Sequence, residues 1–416
     1  MIKEKKSVLM MPAACGLGHA MRCVCLGKAL QEKGYNIAFA GSEKILDLIR
    51  QYNFKQLYET KDDSWRATSI AEIGEIITER SHVQQSLNDE LQIIERVKPN
   101  LIINDFRLTP RFSAHIKNIP WVALASHAFY FSKLRSILNS ILIRVSLSDW
   151  VQEISQISSR LARKVVWLFE KTGLSPIEDW PEITLSPFCT LIASIPELEG
   201  TSHLPEYAHF VGPLSINLYE QKKAIEESEI KKRLEKSGID ISLDDQIVYV
   251  CLSAPIGDKA ACGFNQQVLS YVKTAFSRDK YKVIIVDKNT NKPNSADNIF
   301  VTPYVPNELI YRLKHLVAIT NGTQIKNMEM AFNIIPMLNL PVSSENLLNA
   351  LILKDKGAVR VIFGKQLSSS IIKKEVYELF NNESYKVALK RIRKNLEKYI
   401  NPEIAIKFLA QHNLIY

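Results

Sequence analysis

No stretch of the 416 residues approaches the roughly 18 unbroken apolar residues that a membrane span requires, so no spanning helix is expected. A disulfide or zinc framework is also missing. The six cysteines (Cys15, Cys23, Cys25, Cys189, Cys251 and Cys262) are scattered, and Cys23 and Cys25 have the wrong spacing for a CxxC pair. Reduced, buried thiols in a soluble cytoplasmic protein are the expectation. The apolar run at 8–11, between the first lysines and Cys15, is too short for the h-region of about 7–15 residues that a secretory leader needs, and it reads as part of a first strand. No nucleic-acid motif accompanies the formal charge of +9, so no nucleic-acid partner is expected. The excess is densest near the C-terminus, at Lys373, Lys374, Lys390, Arg391, Arg393 and Lys394. A solvated helical face accounts for that run, with peripheral contact to a lipid surface as the second reading. Oligomeric state is not legible.

What is there is an ordinary globular composition, 46% hydrophobic and 23% charged, in a chain too long for one core. Repeated units of apolar strand, glycine-containing turn and amphipathic helix predict parallel sheets covered on both faces. In the first half, strands are expected at 7–12, 36–40, 101–105, 121–125, 191–194 and 210–213, with a helix over 21–33 that ends at Gly34. The stretch 129–169 is helical by periodicity and carries Ile137, Leu138, Ile141, Leu142, Trp150 and Trp167. It reads as packed helices rather than a membrane-surface segment. A charged stretch over 217–245 then breaks the pattern. The second half restarts it with strands at 247–253, 282–286, 299–302 and 317–320, a loop with Pro255 and Gly257, and a helix over 265–278. The expected fold class is α/β, with two Rossmann-like doubly wound domains facing each other across a cleft. Their bounds are 1–215 and 246–395, joined by a linker at 216–245 and followed by a C-terminal helix at 396–416 that returns to the first domain.

Ligands of open parallel sheets bind beyond the carboxyl ends of strands, where helix starts offer backbone N–H groups. Two such places stand out. Gly16, Gly18, His19 and Arg22 follow the first strand and open a helix, but their spacing is not GxGxxG, so a dinucleotide site has little support. An imidazole at that position, with a pKa near neutrality, suits a base that takes a proton from a hydroxyl. Asp105, at the tip of another strand, suits the carboxylate that orients it. A histidine after glycine is often only a satisfied loop residue; the strand-turn-helix setting favours the functional reading.

The second place is the helix start near Thr323, whose unpaired N–H groups and dipole favour a diphosphate. Here Asn321, Gly322, Lys326, Glu329, Pro336, Pro341, Glu345, Asn346, Asn349 and Ala350 keep a register without gaps. With Tyr304, Val305 and Asn307 before them, and the segments 210–214 and 248–253, they resemble the donor-binding signature of family 1 glycosyltransferases, enzymes of the GT-B fold. The resemblance implies a hexosyltransferase-type enzyme of the kind that acts in natural-product biosynthesis. It moves a sugar from a UDP- or dTDP-linked donor to a hydroxyl of an organic or lipid acceptor, with inversion and with no resident cofactor. The sequence has no DxD triplet, the carboxylate pair that holds a metal ion in other sugar transferases. The resemblance places Gly18, Ser253, Tyr304, Val305, Asn307, Asn321, Gly322, Thr323 and Lys326 at the donor. It also places Glu329 on the ribose, Glu345 and Asn346 on the donor sugar, and His127 and Phe129 at the acceptor. Asn321, Thr323, Lys326 and the Ile334–Ile335 pair depart from the family pattern of His, Gly, Ser or Thr, and Gly. Two rivals stay open, a sugar-nucleotide hydrolase suggested by the GxGHxxR opening and an auxiliary protein that has lost donor binding.

Overall fold

A computed structural model describes residues 6–64, 70–127, 159–177, 180–199, 204–221, 225–253, 259–363 and 367–415. The chain forms two compact units, one holding Met1–Ile216 and Tyr399–Tyr416, the other Asn217–Ala254 and Asp258–Lys398.

The first unit is built on seven strands: β1 (Ser7–Pro12), β2 (Asn36–Gly41), β3 (Gln56–Glu59), β4 (Leu101–Asp105), β5 (Trp121–Ala125), β6 (Thr190–Ile192) and β7 (Ala208–Phe210). They lie in the order β3-β2-β1-β4-β5-β6-β7, every neighbour parallel. The second has β8 (Ile247–Cys251), β9 (Lys282–Val286), β10 (Asn294–Ala296), β11 (Ile299–Thr302), β12 (Leu316–Thr320), β13 (Met337–Asn339) and β14 (Val359–Val361). Their order is β10-β11-β9-β8-β12-β13-β14, antiparallel only at the β10–β11 edge. The central strands are buried on both faces, as continuous apolar runs without alternation demand: Val8, Leu9, Met10 and Met11 in β1, Val317, Ala318 and Ile319 in β12. The expected α/β class is what the chain adopts.

In each sheet the order reverses beside the first strand, and that switch point is where a doubly wound sheet opens its crevice. In the first it falls between β1 and β4, whose register pairs Pro12 with Asp105. In the second it falls between β8 and β12, pairing Cys251 with Thr320.

Several elements differ from expectation. β3, β10, β13 and β14 are three or four residues long, too short to show a period. The segment expected as a linker carries the helices Ile216–Glu220 and Glu227–Lys236, and from Asn217 it belongs to the second unit. Its charges had hidden an i, i+4 apolar pair, Ile230 and Leu234, both buried, while Arg233 bonds Glu308. Of the apolar stretch at 129–169, residues 129–158 lie outside the described residues; the helix Val166–Thr172 buries Leu168 and Phe169, and Phe169 meets Phe112 edge-on with centroids 4.9 Å apart. The last helix, Glu403–Gln411, lies in the first unit. There His209 stacks on Phe408 at 4.0 Å, and Lys33 pairs with Glu403 at 2.8 Å. Gly212 lets that segment approach: its φ of +78° suits glycine, and a Cβ there would stand 2.2 Å from the Tyr399 carbonyl oxygen. No helix among the described residues is long and apolar enough to cross a membrane.

Candidate active site

In the first unit the chain leaves β1 at Pro12, and the Ala13 N–H donates to the Asp105 carbonyl at 2.9 Å, which ties the turn to β4. Gly16 is extended (φ −160°), and the helix Leu17–Glu32 starts one residue later than Gly16, four residues earlier than its apolar period suggests. His19 thereby falls in its first turn. Its Nδ1 lies 2.6 Å from Asp105 Oδ1. Asp105 is fully buried, whereas the His19 side chain keeps 13% of its surface exposed. The Phe106 ring lies nearly parallel to the imidazole at 5.5 Å, from a residue held at φ +63°, a region that a bulky side chain seldom occupies.

Electrostatics change the expected picture. Burial disfavours the imidazolium, but Asp105 and Cys15 outweigh it and push the His19 pKa up to about 10. The value near neutrality expected from sequence is therefore corrected: with a buried carboxylate at contact, the resting imidazole holds its proton. Burial works against ionised Asp105 as well, yet Arg22 and His19 hold its carboxyl below the usual value. A depression opens beside this group, lined by Cys15, Asp62, Ser64, His82, Phe106 and Arg107 among others. Asp62 accepts from the Ala14 N–H at 2.9 Å and from the Ser64 hydroxyl at 2.6 Å. Burial pushes the His82 pKa down, offset in part by Asp62 and Asp63. Sequence reasoning named Arg22 in the GxGHxxR opening, i, i+3 from His19, but gave it no role, and it missed Cys15, Asp62 and His82.

In the second unit, Gly322 takes φ +80°, and a Cβ there would stand 3.0 Å from the Asn346 carbonyl oxygen, so the turn needs glycine. Thr323 is the N-cap of the helix Gln324–Phe332, and no side chain caps it. The N–H groups of the first turn are thus left without that partner, the arrangement that favours an anion. Lys326, in this turn, has its Nζ 3.0 Å from Asn307 Oδ1 and 3.6 Å from Glu329 Oε2.

No protein-family model matches the chain. A PGL/p-HBAD biosynthesis glycosyltransferase of Mycobacterium tuberculosis is 22% identical over 410 residues, covering 94% of this chain and 89% of the relative. Among solved structures, the glycotransferase of kitacinnamycin superposes with a TM-score of 0.73 at 13% identity, covering 98% of this chain and 99% of that one. A spinosyn rhamnosyltransferase, solved with thymidine diphosphate, gives 0.67 at 12% identity over 97% and 100%. The chain has the GT-B fold.

Several residues expected at the donor site are turned inward. Asn321 is 1% exposed. Its Oδ1 accepts from the Ser253 N–H at 2.6 Å, and its Nδ2 donates to Asn265 Oδ1 at 3.1 Å and to the Leu340 carbonyl at 3.2 Å. The side chain expected to bond a phosphate instead pins two loops, because a buried amide must satisfy its own polar atoms first. Asn321→Ala should therefore act on stability: it leaves the Ser253 amide and the Leu340 carbonyl without this partner, at about 1–3 kcal/mol for a buried unsatisfied group. A thermal melt in which the second unit does not weaken would refute that role.

Glu329 is likewise 1% exposed. Asn217 donates to its Oε1 at 2.8 Å, and the Tyr311 hydroxyl donates to its Oε2. Each oxygen already has a partner within the protein, and the buried side chain offers little surface to the ribose hydroxyls expected there. His127, expected at the acceptor, is 1% exposed, with Nδ1 2.8 Å from Glu199 Oε1, so it braces the loop after β5. Phe129 lies outside the described residues. Gly18 stands in the first turn of the His19 helix, in the first unit, away in sequence and unit from the other donor candidates. Tyr304 is 69% exposed while the Val305 side chain is in the core. Glu345 is exposed in the first turn of the helix Ser344–Asp355, and Asn346 is buried, its N–H donating to the capping Ser343 hydroxyl at 3.3 Å.

Proposed function

We propose that the chain is a glycosyltransferase that inverts the anomeric centre of a UDP- or dTDP-linked sugar, passes it to a hydroxyl of a small-molecule or lipid acceptor, and needs neither a metal ion nor a resident cofactor. The observation that carries the reading is the 2.6 Å contact between His19 Nδ1 and the buried carboxylate of Asp105 at the β1/β4 switch point. Once deprotonated at Nε2, His19 takes the acceptor proton as the hydroxyl oxygen attacks the anomeric carbon and the bond to the diphosphate breaks. Asp105 stabilises the imidazolium that forms. The leaving nucleoside diphosphate is received by the uncapped start of the helix Gln324–Phe332, with Lys326 supplying positive charge. Exposed Tyr304 is suited to stacking on the base. The thymidine diphosphate bound in the spinosyn rhamnosyltransferase structure supports a nucleoside diphosphate as the leaving group.

The test is a panel of UDP- and dTDP-sugars with hydroxyl acceptors, with product configuration read by proton NMR and turnover followed with and without EDTA. Inversion and EDTA-insensitive turnover are expected; retention, or loss in EDTA, overturns the corresponding part. Rapid sugar release without acceptor makes the chain a hydrolase. Absence of any nucleotide binding in calorimetry makes it an auxiliary protein, a reading that the inward-turned Asn321 and Glu329 favour.

A further inference from the structure

Arg22 follows His19 by one helical turn and is 3% exposed. Its Nε donates to Asp105 Oδ2 at 2.8 Å and its Nη2 to Asp105 Oδ1 at 2.9 Å, a bidentate clamp. The same Nη2 lies 2.9 Å from His19 Nδ1, the nitrogen that faces Asp105 Oδ1. A guanidinium has only donors, so Nδ1 cannot satisfy both neighbours in one protonation state. With a proton on Nδ1 the ring donates to Asp105 and meets Arg22 donor to donor. Without it, Nδ1 accepts from Arg22, and the remaining proton sits on Nε2. Only the first state leaves the Nε2 lone pair able to take a proton.

We propose that Arg22 is a positioning residue for the base: it fixes the Asp105 carboxylate and weakens the grip of the imidazole on its proton. This rests on the assignment of His19 as base. Two effects act together. Arg22 occupies both carboxylate oxygens, so Asp105 serves two cations, and its own charge repels the imidazolium at contact distance. The other titratable groups at hand are Cys15, which hydrogen-bonds His19 from the turn after β1, and Cys23, next to Arg22 on the helix, whose thiol burial pushes up. The ring of Phe106 covers one face of the imidazole and adds no charge.

The experiment compares wild type, Arg22→Gln and Arg22→Lys by the pH profile of kcat/KM, by NMR titration of the His19 ring in the folded protein, and by nucleotide affinity. In Arg22→Gln the rising limb and the His19 titration should both move to higher pH, with about a tenfold loss of rate below the limb for each unit moved. Nucleotide affinity should stay unchanged. Arg22→Lys keeps the charge without the two-pronged clamp, should fall between the two, and serves alone if the glutamine variant fails to fold. An unmoved limb and titration in either folded variant, with His19→Ala inactive, overturns the Arg22 proposal while sparing the base assignment. Full activity of His19→Ala overturns the base assignment itself.

Discussion

His19→Ala is expected to lower kcat/KM for sugar transfer by about 10²–10⁴-fold, the span of general-base contributions, while leaving nucleotide affinity close to wild type. The loss falls on the chemical step because the imidazole is at the β1/β4 switch point of the first unit and the helix start assigned to the diphosphate is in the second. The wild-type profile adds a second signature. A pKa of about 10 leaves little deprotonated His19 at neutral pH, so kcat/KM should climb about tenfold per pH unit through the neutral range and level off only as that pKa is approached. Measured kcat/KM within threefold of wild type for the alanine variant would sink the base assignment, whereas a wild-type profile flat between pH 7 and 9 would overturn only the raised pKa of His19.

Asp105→Asn should cost as much in turnover, about 10²–10⁴-fold, and far more in stability. The amide carries no charge to stabilise the imidazolium and can hold the wrong tautomer, the logic of an orienting carboxylate in any nucleophile-base-acid relay. It also strands Arg22, 3% exposed, without its counter-ion. Breaking such a buried pair costs about 3–5 kcal/mol, which for a unit of roughly 200 residues corresponds to a fall in Tm on the order of 10 °C. The pH dependence of stability follows from the signs. His19 is raised from 6.5 to about 10 in the folded state, so its contribution is complete below pH 6.5 and drains away as pH rises toward 10. Asp105 is lowered from 3.8, so its contribution is complete above that value and is lost as pH falls below it. The pair therefore supports the first unit most between about pH 4 and 6.5. The wild-type Tm, relative to Asp105→Asn, should shrink on moving from pH 6.5 to 10; a constant difference would show that the two side chains are not coupled in this way.

Much of this site could be seen in the chain before folding. His19 and Asp105 both mark the carboxyl ends of apolar runs, and in a parallel sheet those ends share one edge. The helix start at Thr323 was visible from Gly322 and the run that follows. The partners of each polar side chain were not visible. Asn321, Glu329 and His127 are types that bind ligands in solvent-facing loops, and each is instead consumed by a neighbour from a distant element: Asn321 by Ser253, Glu329 by Asn217, His127 by Glu199. Nothing local distinguishes an amide aimed at a ligand from one that must silence a buried N–H.

What the sequence determined by itself is the pair of parallel sheets, since uninterrupted apolar strands separated by amphipathic helices must be covered on both faces, and with them the strand ends where His19, Asp105 and Thr323 stand. Tertiary structure alone decided that Arg22 would join His19 on one carboxylate and that the charged stretch from Asn217 would pack into the second unit. The reason is that burial turns polar side chains into a problem of mutual satisfaction, and its solution depends on which elements meet in space.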